Sequence, residues 1–566
     1  MRIFYFILFA LLINYQTTYG QKNVTITGKI INCKAKELQL GTYSTEIDSL
    51  GNFKFHFQIS NPSIYILRYK GDETEIYLQP KDAIFISFND SDFKKSITYR
   101  GNSVVINSYL ANAFNIEHYF DTTYRIYATL SEKEYINKVE KQRKLVLQQF
   151  DSFTNSKKSQ TSAEFINLYK LSINMGFNWI TSMFDLVQNN YISTEDRLSY
   201  YKRHSYINDF DFNNSALQNM KYYNLLMESI LRYNVYYYLL NDIEIKKSDN
   251  QRIDAYFKAI NSLYTNAEIR NYWLYKYLKE HIDNYGVKNI ENLIKDFNAV
   301  CTNQAYKNEI NEYYQKELKN RQEHLIKIYK EIDGYKLDAH IFIPKNIKPN
   351  EKRPAIVYFH GGGFVEGKPD WHFGYNKYGF VSIAIEYRLY YRHGVMPLEE
   401  ISDAKSAIRW IRQNADELHV DTNKIIASGN SSGDALVLGA ALSDSLNESN
   451  ENLNISSKPN AMILNAHGCY IIFGPYKDKE RLTRFSGLNL VKPNAPPCLV
   501  IHGSNDYGVP ISGPKEFVTK MRAAGNICEF KILEGAGHVP WLYPPYSTEV
   551  CRAKEDFYKK LGYIDK

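Results

Sequence analysis

Three patterns of apolar and polar residues succeed one another along this chain. Between residues 22 and 104 the pattern has period two. Phe53, Phe55, Phe57 and Ile59 alternate with Lys54, His56 and Gln58, as in a strand with one buried face. Further short apolar runs lie at 64–67, 76–78 and 84–88, and turn residues fill 48–52 and 80–82. The pattern predicts a small antiparallel β-sandwich over residues 21–104. Residues 105–321 then read as a helical segment. They are rich in Leu, Lys, Glu, Gln and Tyr and poor in Gly, with amphipathic helices predicted over 132–150 and 217–240. From residue 322 the pattern changes again. Runs 325–330 and 336–343 flank Asp333-Gly334, a hairpin signal. Apolar strands at 355–359, 381–385, 425–427, 462–464, 498–501 and 530–533 then alternate with helical stretches, of which 401–418 is the clearest. Such alternation implies a mostly parallel sheet covered by helices on both faces.

Composition changes this picture little. Of 566 residues, 44% are hydrophobic and 23% charged, a globular balance. The length exceeds what one core holds, which agrees with several domains. The 48 tyrosines are in excess. Those at 233–238 are read as helix packing, because Tyr buries a large area while its hydroxyl stays wet. The formal charge of +7 is small and its cations are scattered among acids, so no nucleic-acid partner is expected. Arg2, the apolar run 3–13 and the small-residue site 18–20 predict a signal peptide over residues 1–20, with Gln21 as the new N-terminus. A short membrane anchor is the competing reading, but the run is too short to span comfortably. An exported chain, periplasmic or secreted, is therefore expected, with no membrane span after signal removal. The six cysteines at 33, 301, 469, 498, 528 and 551 form no CxxC pair. They are read mainly as buried thiols, with no disulfide assigned.

Four short motifs in the last third fit one reaction. A bare Gly-x-Ser-x-Gly is weak, but Gly429-Asn430-Ser431-Ser432-Gly433 follows a strand pattern and precedes a helical one. That is the strand–turn–helix setting of a nucleophile elbow, with Ser431 at its tip. His360-Gly361-Gly362-Gly363-Phe364 ends an earlier strand. Its glycines let backbone N–H groups approach a developing oxyanion, so Gly361 and Gly362, with the N–H of Ser432, form the candidate oxyanion hole. Asp506 follows the 498–501 strand and His538 the next one, as the candidate acid and base that would activate Ser431.

The order Ser, Asp, His, together with Tyr387-Arg388-Leu389, Pro397, Asp403-Ala404, 407–410 and Pro496-Pro497, resembles the α/β-hydrolases of the esterase/lipase branch. These are the relatives of hormone-sensitive lipase and the bacterial acetyl and feruloyl esterases. The resemblance covers residues 322–566. It implies an α/β-hydrolase domain that cleaves carboxylic esters, on small-molecule or carbohydrate substrates, through an acyl-enzyme and without cofactor or metal. It makes Asp403 a structural acid. One departure is Asp434, where the family has Gly. It raises the expectation of a carboxylate near the reacting centre that depresses turnover. Residues 21–321 resemble the sandwich-plus-helix module that precedes thioredoxin-like domains in exported bacterial proteins, through Gly28, 51–53, 78–82 and 100–103. The partner of that module is unknown. Two other readings stay open: a serine peptidase of prolyl-oligopeptidase type, and a catalytically inactive binding protein of hydrolase fold.

Overall fold

The computed structural model describes residues 22–41, 43–113, 115–127, 129–184, 198–199, 211–369, 378–467, 479–539 and 544–565. The expected signal peptide and Cys469 lie outside these residues. The chain divides into two compact units. One holds residues up to 234 with 264–269, and the other holds 235–263 with 270–566.

The first unit begins with eight strands: β1 Lys22–Ile31, β2 Glu37–Leu40, β3 Tyr43–Glu46, β4 Asn52–Ile59, β5 Ser63–Tyr69, β6 Asp72–Leu78, β7 Ala83–Asn89 and β8 Thr98–Gly101. They form two four-stranded sheets, ordered β4-β1-β7-β8 and β3-β2-β5-β6. One core joins them, with Val24, Ile26, Phe53, Phe55, Ile84 and Ile86 from one sheet and Leu38, Leu40, Leu67, Ile76 and Leu78 from the other. Burial along β4 alternates as its period-two pattern requires. The expected sandwich is therefore present, with a difference in pairing. β1 and β7 run parallel, while the neighbouring pairs are antiparallel. Helices Val104–Leu110, Ile116–Tyr127, Glu132–Ser156 and Ala163–Ser182 follow. Ser131 and Glu134 form a capping box that starts the third of these.

The second unit carries helix Gln251–Leu263, helix Ala267–Tyr285 from residue 270 onward, helices Glu291–Val300 and Gln304–Gln322, and then eight strands. These are β9 Leu325–Ile332, β10 Tyr335–Phe342, β11 Arg353–Phe359, β12 Val381–Ile385, β13 Val420–Asn430, β14 Ala461–Asn465, β15 Cys498–Gly503 and β16 Cys528–Leu533. The sheet order is β16-β15-β14-β13-β11-β12-β10-β9. β9 and β10 form the hairpin, whose turn residues Asp333 and Gly334 both have positive φ, at 52° and 83°. β10 meets β12 antiparallel, and the remaining pairs are parallel.

The strands are apolar on both sides because helices cover both faces. Ala355, Val357, Ile425, Ala427, Met462, Leu464 and Val500 enter one core with Leu436 and Phe517. Their neighbours Ile356, Ile426, Ile463 and Leu499 enter the opposite core with Val550 and Phe557. Helix Pro397–Gln413 begins four residues earlier than the 401–418 pattern suggested, because Pro397 suits the first helical turn. Among the described cysteines, Cys301, Cys498 and Cys528 are buried. Cys551 is exposed on helix Tyr546–Lys560, against the expectation of a buried thiol. No described helix is long and apolar enough to cross a membrane.

Candidate functional site

At the end of β13 the chain turns sharply into helix Ser432–Leu442. Ser431 stands at the corner with φ 52° and ψ −114°, a conformation that costs a non-glycine residue roughly 1–3 kcal/mol. Its surroundings hold it there. The Ser431 N–H donates to the Asn465 carbonyl at 2.9 Å, and Asp434 N–H donates to the Ser431 carbonyl at 3.1 Å. Glycine is required on both flanks. A Cβ at Gly433 would lie 2.2 Å from the Phe359 carbonyl oxygen, and one at Gly429 would lie 2.4 Å from the Gly433 carbonyl carbon. This close contact presses the turn against the end of β11, where the 360–368 loop begins.

The structure brings Ser431, His538 and Asp506 together from the ends of three strands. His538 Nδ1 lies 2.7 Å from Asp506 Oδ2, and Nε2 lies 3.1 Å from Ser431 Oγ. A carboxylate accepts, so Nδ1 carries the proton and Nε2 is left to accept from the serine hydroxyl. Asp506 is fixed by further donors. Gly508 and Val509 N–H reach its Oδ1 at 2.9 and 2.8 Å. Burial pulls the Asp506 carboxyl upward, but the His538 and Val509 hydrogen bonds outweigh it and hold the group below the usual carboxylate range. These hydrogen bonds favour the charged form of Asp506 beside the imidazole.

Gly361 lies beside the serine. A Cβ there would sit 3.5 Å from Ser431 Cβ and 3.1 Å from the Asn430 carbonyl oxygen. Gly362 has φ 124°, and a Cβ would fall 1.8 Å from the Glu366 carbonyl oxygen, so the loop doubles back where a side chain cannot fit. Ser432 opens the helix after Ser431, where backbone N–H groups lack intrahelical partners. The three predicted donors thus belong to two turns that touch at Ser431.

Asp434 does not point at this site. It is fully buried; its Oδ1 accepts from Asn465 N–H at 3.2 Å, and its Oδ2 lies 3.4 Å from His467 Nδ1. Burial pushes this carboxyl well above its ordinary range and pushes His467 down to about 3. The expectation of a charged carboxylate facing the reacting centre is corrected: the strand end at Asn465 takes up the side chain instead. Asp403 is also buried, in a fork with Arg388 at 2.9 Å and an ion pair with Lys330 at 2.6 Å.

Three residues near the site had no assigned role in the sequence. Asn465 carries the carbonyl that accepts from Ser431, and its side chain donates to the Gly429 carbonyl at 2.7 Å. His502 is buried with Nε2 donating to the Val509 carbonyl at 2.9 Å, 3.6 Å from Asp506 Oδ2. His360 stacks on Tyr387, and its Nδ1 donates to the Gly361 carbonyl at 2.7 Å. His502 and His360 each open a recognised motif, which was the available signal.

Known proteins match this part of the chain. The BD-FAE family model covers residues 339–470, and the prolyl oligopeptidase family model covers 461–562. Together they run from β10 to the last helix. This segment is an α/β-hydrolase of the esterase/lipase type. Esterase LipC of Mycobacterium tuberculosis is 29% identical over 224 residues, 34% of this chain and 54% of that protein. Endo-1,4-beta-xylanase B of Butyrivibrio fibrisolvens is 28% identical over 193 residues, 30% of each chain. The chain thus spans about half the first relative's length and less than a third of the second's. Thermogutta terrifontis esterase 2, solved phosphonylated by cyclosarin, is 32% identical, with a TM-score of 0.41, over 44% of this chain and 97% of that one.

Proposed function

We propose that the chain is an exported serine hydrolase that cleaves carboxylic esters through Ser431, His538 and Asp506. The observation that carries this reading is the His538 imidazole, set between the Ser431 hydroxyl and the Asp506 carboxylate. Ser431 Oγ attacks the ester carbonyl carbon while its proton passes to His538 Nε2. The carbonyl oxygen becomes an oxyanion and accepts hydrogen bonds from the N–H groups of Gly361, Gly362 and Ser432. His538 returns the proton to the departing alkoxide, the C–O bond breaks, and the acyl group stays on Ser431. Water then attacks that acyl group, His538 takes its proton, and the acid leaves with Ser431 restored. Asp506 steadies the imidazolium in both halves. Neither metal nor cofactor enters this scheme.

Matched proteins named esterases support an ester substrate, and the xylanase match keeps carbohydrate esters among the classes to test. The prolyl oligopeptidase match over 461–562 favours a second reading, a serine peptidase. Purified protein assayed on p-nitrophenyl butyrate, an acetylated xylan and a proline-containing amide separates the two. Ester turnover that vanishes in Ser431→Ala supports the esterase. Turnover of the amide alone would replace it with the peptidase, and no turnover of any substrate would favour an inactive binding protein. Export rests on the residue pattern of the first twenty positions. N-terminal sequencing of native protein is expected to begin near Gln21, and Met1 retained on a cytosolic protein would contradict it.

A further inference from the structure

The 360–368 loop is shaped from two sides. On its inner side, Val365 and Glu366 N–H both donate to the Gly362 carbonyl at 3.1 Å, which fixes the peptide plane after Gly362. Gly361 rests against Asn430 and Ser431. The outer side is held by a helix that precedes the whole sheet. Helix Ala267–Tyr285 stops before Gly286, which takes a positive φ of 77°, as helix ends commonly do. The last carbonyls of a helix lack intrahelical donors and carry its negative end. Here the loop supplies donors. Gly367 N–H reaches the Asn284 carbonyl at 3.0 Å. The Lys368 ammonium is a second donor, at 3.1 Å, to the Ile282 carbonyl, which already accepts from Gly286 N–H at 3.1 Å, and it reaches the Glu317 carboxylate at 3.1 Å. Two side chains add to this. Tyr285 hydroxyl donates to the Val365 carbonyl at 3.3 Å, and Asn284 Nδ2 donates to Glu366 Oε2 at 3.3 Å.

We propose that residues 282–285 set the geometry of the candidate oxyanion hole, with Tyr285, Asn284 and Lys368 as positioning residues. The inference rests on the esterase reading above, since an oxyanion hole has work to do only if Ser431 attacks a carbonyl. Its physical basis is that the loop holds no helix or strand, and four of its nine residues, 365 to 368, are tied to this helix end or to Glu317. A donor displaced by a few tenths of an ångström loses more in the transition state than in the ground state, because charge on the oxygen develops only there. Loosening the brace should therefore lower kcat and spare KM. It also gives the helices ahead of the sheet a part in the chemistry.

The test uses the full chain and p-nitrophenyl butyrate. Tyr285→Phe removes one hydroxyl and keeps the packed ring. Lys368→Met removes the ammonium and keeps the stem, and Lys368→Arg restores a cation. Expected are a kcat lowered about 3- to 10-fold in Tyr285→Phe and about 10-fold in Lys368→Met. KM should stay within about twofold, and Lys368→Arg should recover most of the loss. Melting temperature is the control for a purely structural role. Unchanged kcat in folded variants, or KM and kcat falling together with melting temperature, would overturn the inference. If Lys368→Met fails to fold, Tyr285→Phe decides alone. Wild-type protein without Ser431-dependent turnover would instead remove the esterase reading and this inference with it.

Discussion

Two glycine-bearing turns meet at the candidate site, and they are held in different ways. The 429–433 turn is held by its own sheet. Asn465 on β14 receives its N–H, Asp434 secures Asn465, and Gly433 packs on the end of β11. The 360–368 turn begins at that same strand end but depends on a helix far upstream for its outer contacts. The Ser431 side is thus built from residues close to it in the sheet. The Gly361 side borrows support from residues 282–285, which precede the two matched stretches, 339–470 and 461–562. A hydrolase segment can keep its motifs and still need what precedes it.

Four changes probe that contrast, beginning with the largest effect. Ser431→Ala removes the proposed nucleophile and nothing that supports the turn. Ester turnover should fall about 10⁴-fold or more with melting temperature unchanged. Retained turnover in pure protein would move the nucleophile elsewhere. The next change cuts the chain at residue 322. Lys288 pairs with buried Glu386 at 2.6 Å and with buried Asp338 at 3.1 Å, and Arg321 also pairs with Asp338. Residues 322–566 alone would leave these carboxylates short of partners, a loss of about 3–5 kcal/mol for a broken buried pair. The short chain should be poorly folded or inactive while residues 235–566 retain activity. Full activity in 322–566 would show that the helices are dispensable.

Gly362→Ala comes third. Its Cβ would meet the Glu366 carbonyl oxygen at 1.8 Å, whereas at Gly363 the nearest atom is Val365 Cγ2 at 4.0 Å. kcat should fall about 10²-fold in Gly362→Ala. Gly363→Ala should show only the strain of its positive φ, roughly 1 kcal/mol in stability. Equal effects at the two positions would argue against an oxyanion role for the loop. Asp434→Gly is expected to have the smallest effect on rate. It leaves the Asn465 N–H buried without its acceptor, at about 1–3 kcal/mol. The melting temperature should drop and kcat should not rise. A faster enzyme would mean that the carboxylate acts on the reacting centre after all.

The same contrast explains what could be read from sequence. Strands β11 to β15 announce themselves as apolar runs because both faces are buried, whereas β16, at the sheet edge, carries Glu529 and Lys531 and is mostly half-buried. That Ser431, Asp506, His538 and Gly361 approach one another was legible because the turn chemistry at each strand end is local. The parallel pairing of β1 with β7 was not, since period-two alternation records which face is buried and says nothing of the neighbour strand. The direction of Asp434 was hidden for a related reason. A carboxylate in a first helical turn can face a ligand or the core, and the Asn465 N–H that receives it comes from another strand. The brace at Asn284 and Tyr285 left no signal either, because its strongest link is a backbone carbonyl freed by the end of a helix.

The most direct measurement is reaction of the full chain with a fluorophosphonate, followed by peptide mapping. A serine activated by His538 attacks phosphorus, and the stable adduct marks the nucleophile. One adduct is expected, on Ser431, lost in Ser431→Ala and strongly slowed in His538→Ala. An adduct on another serine, or no adduct on folded protein, would contradict it.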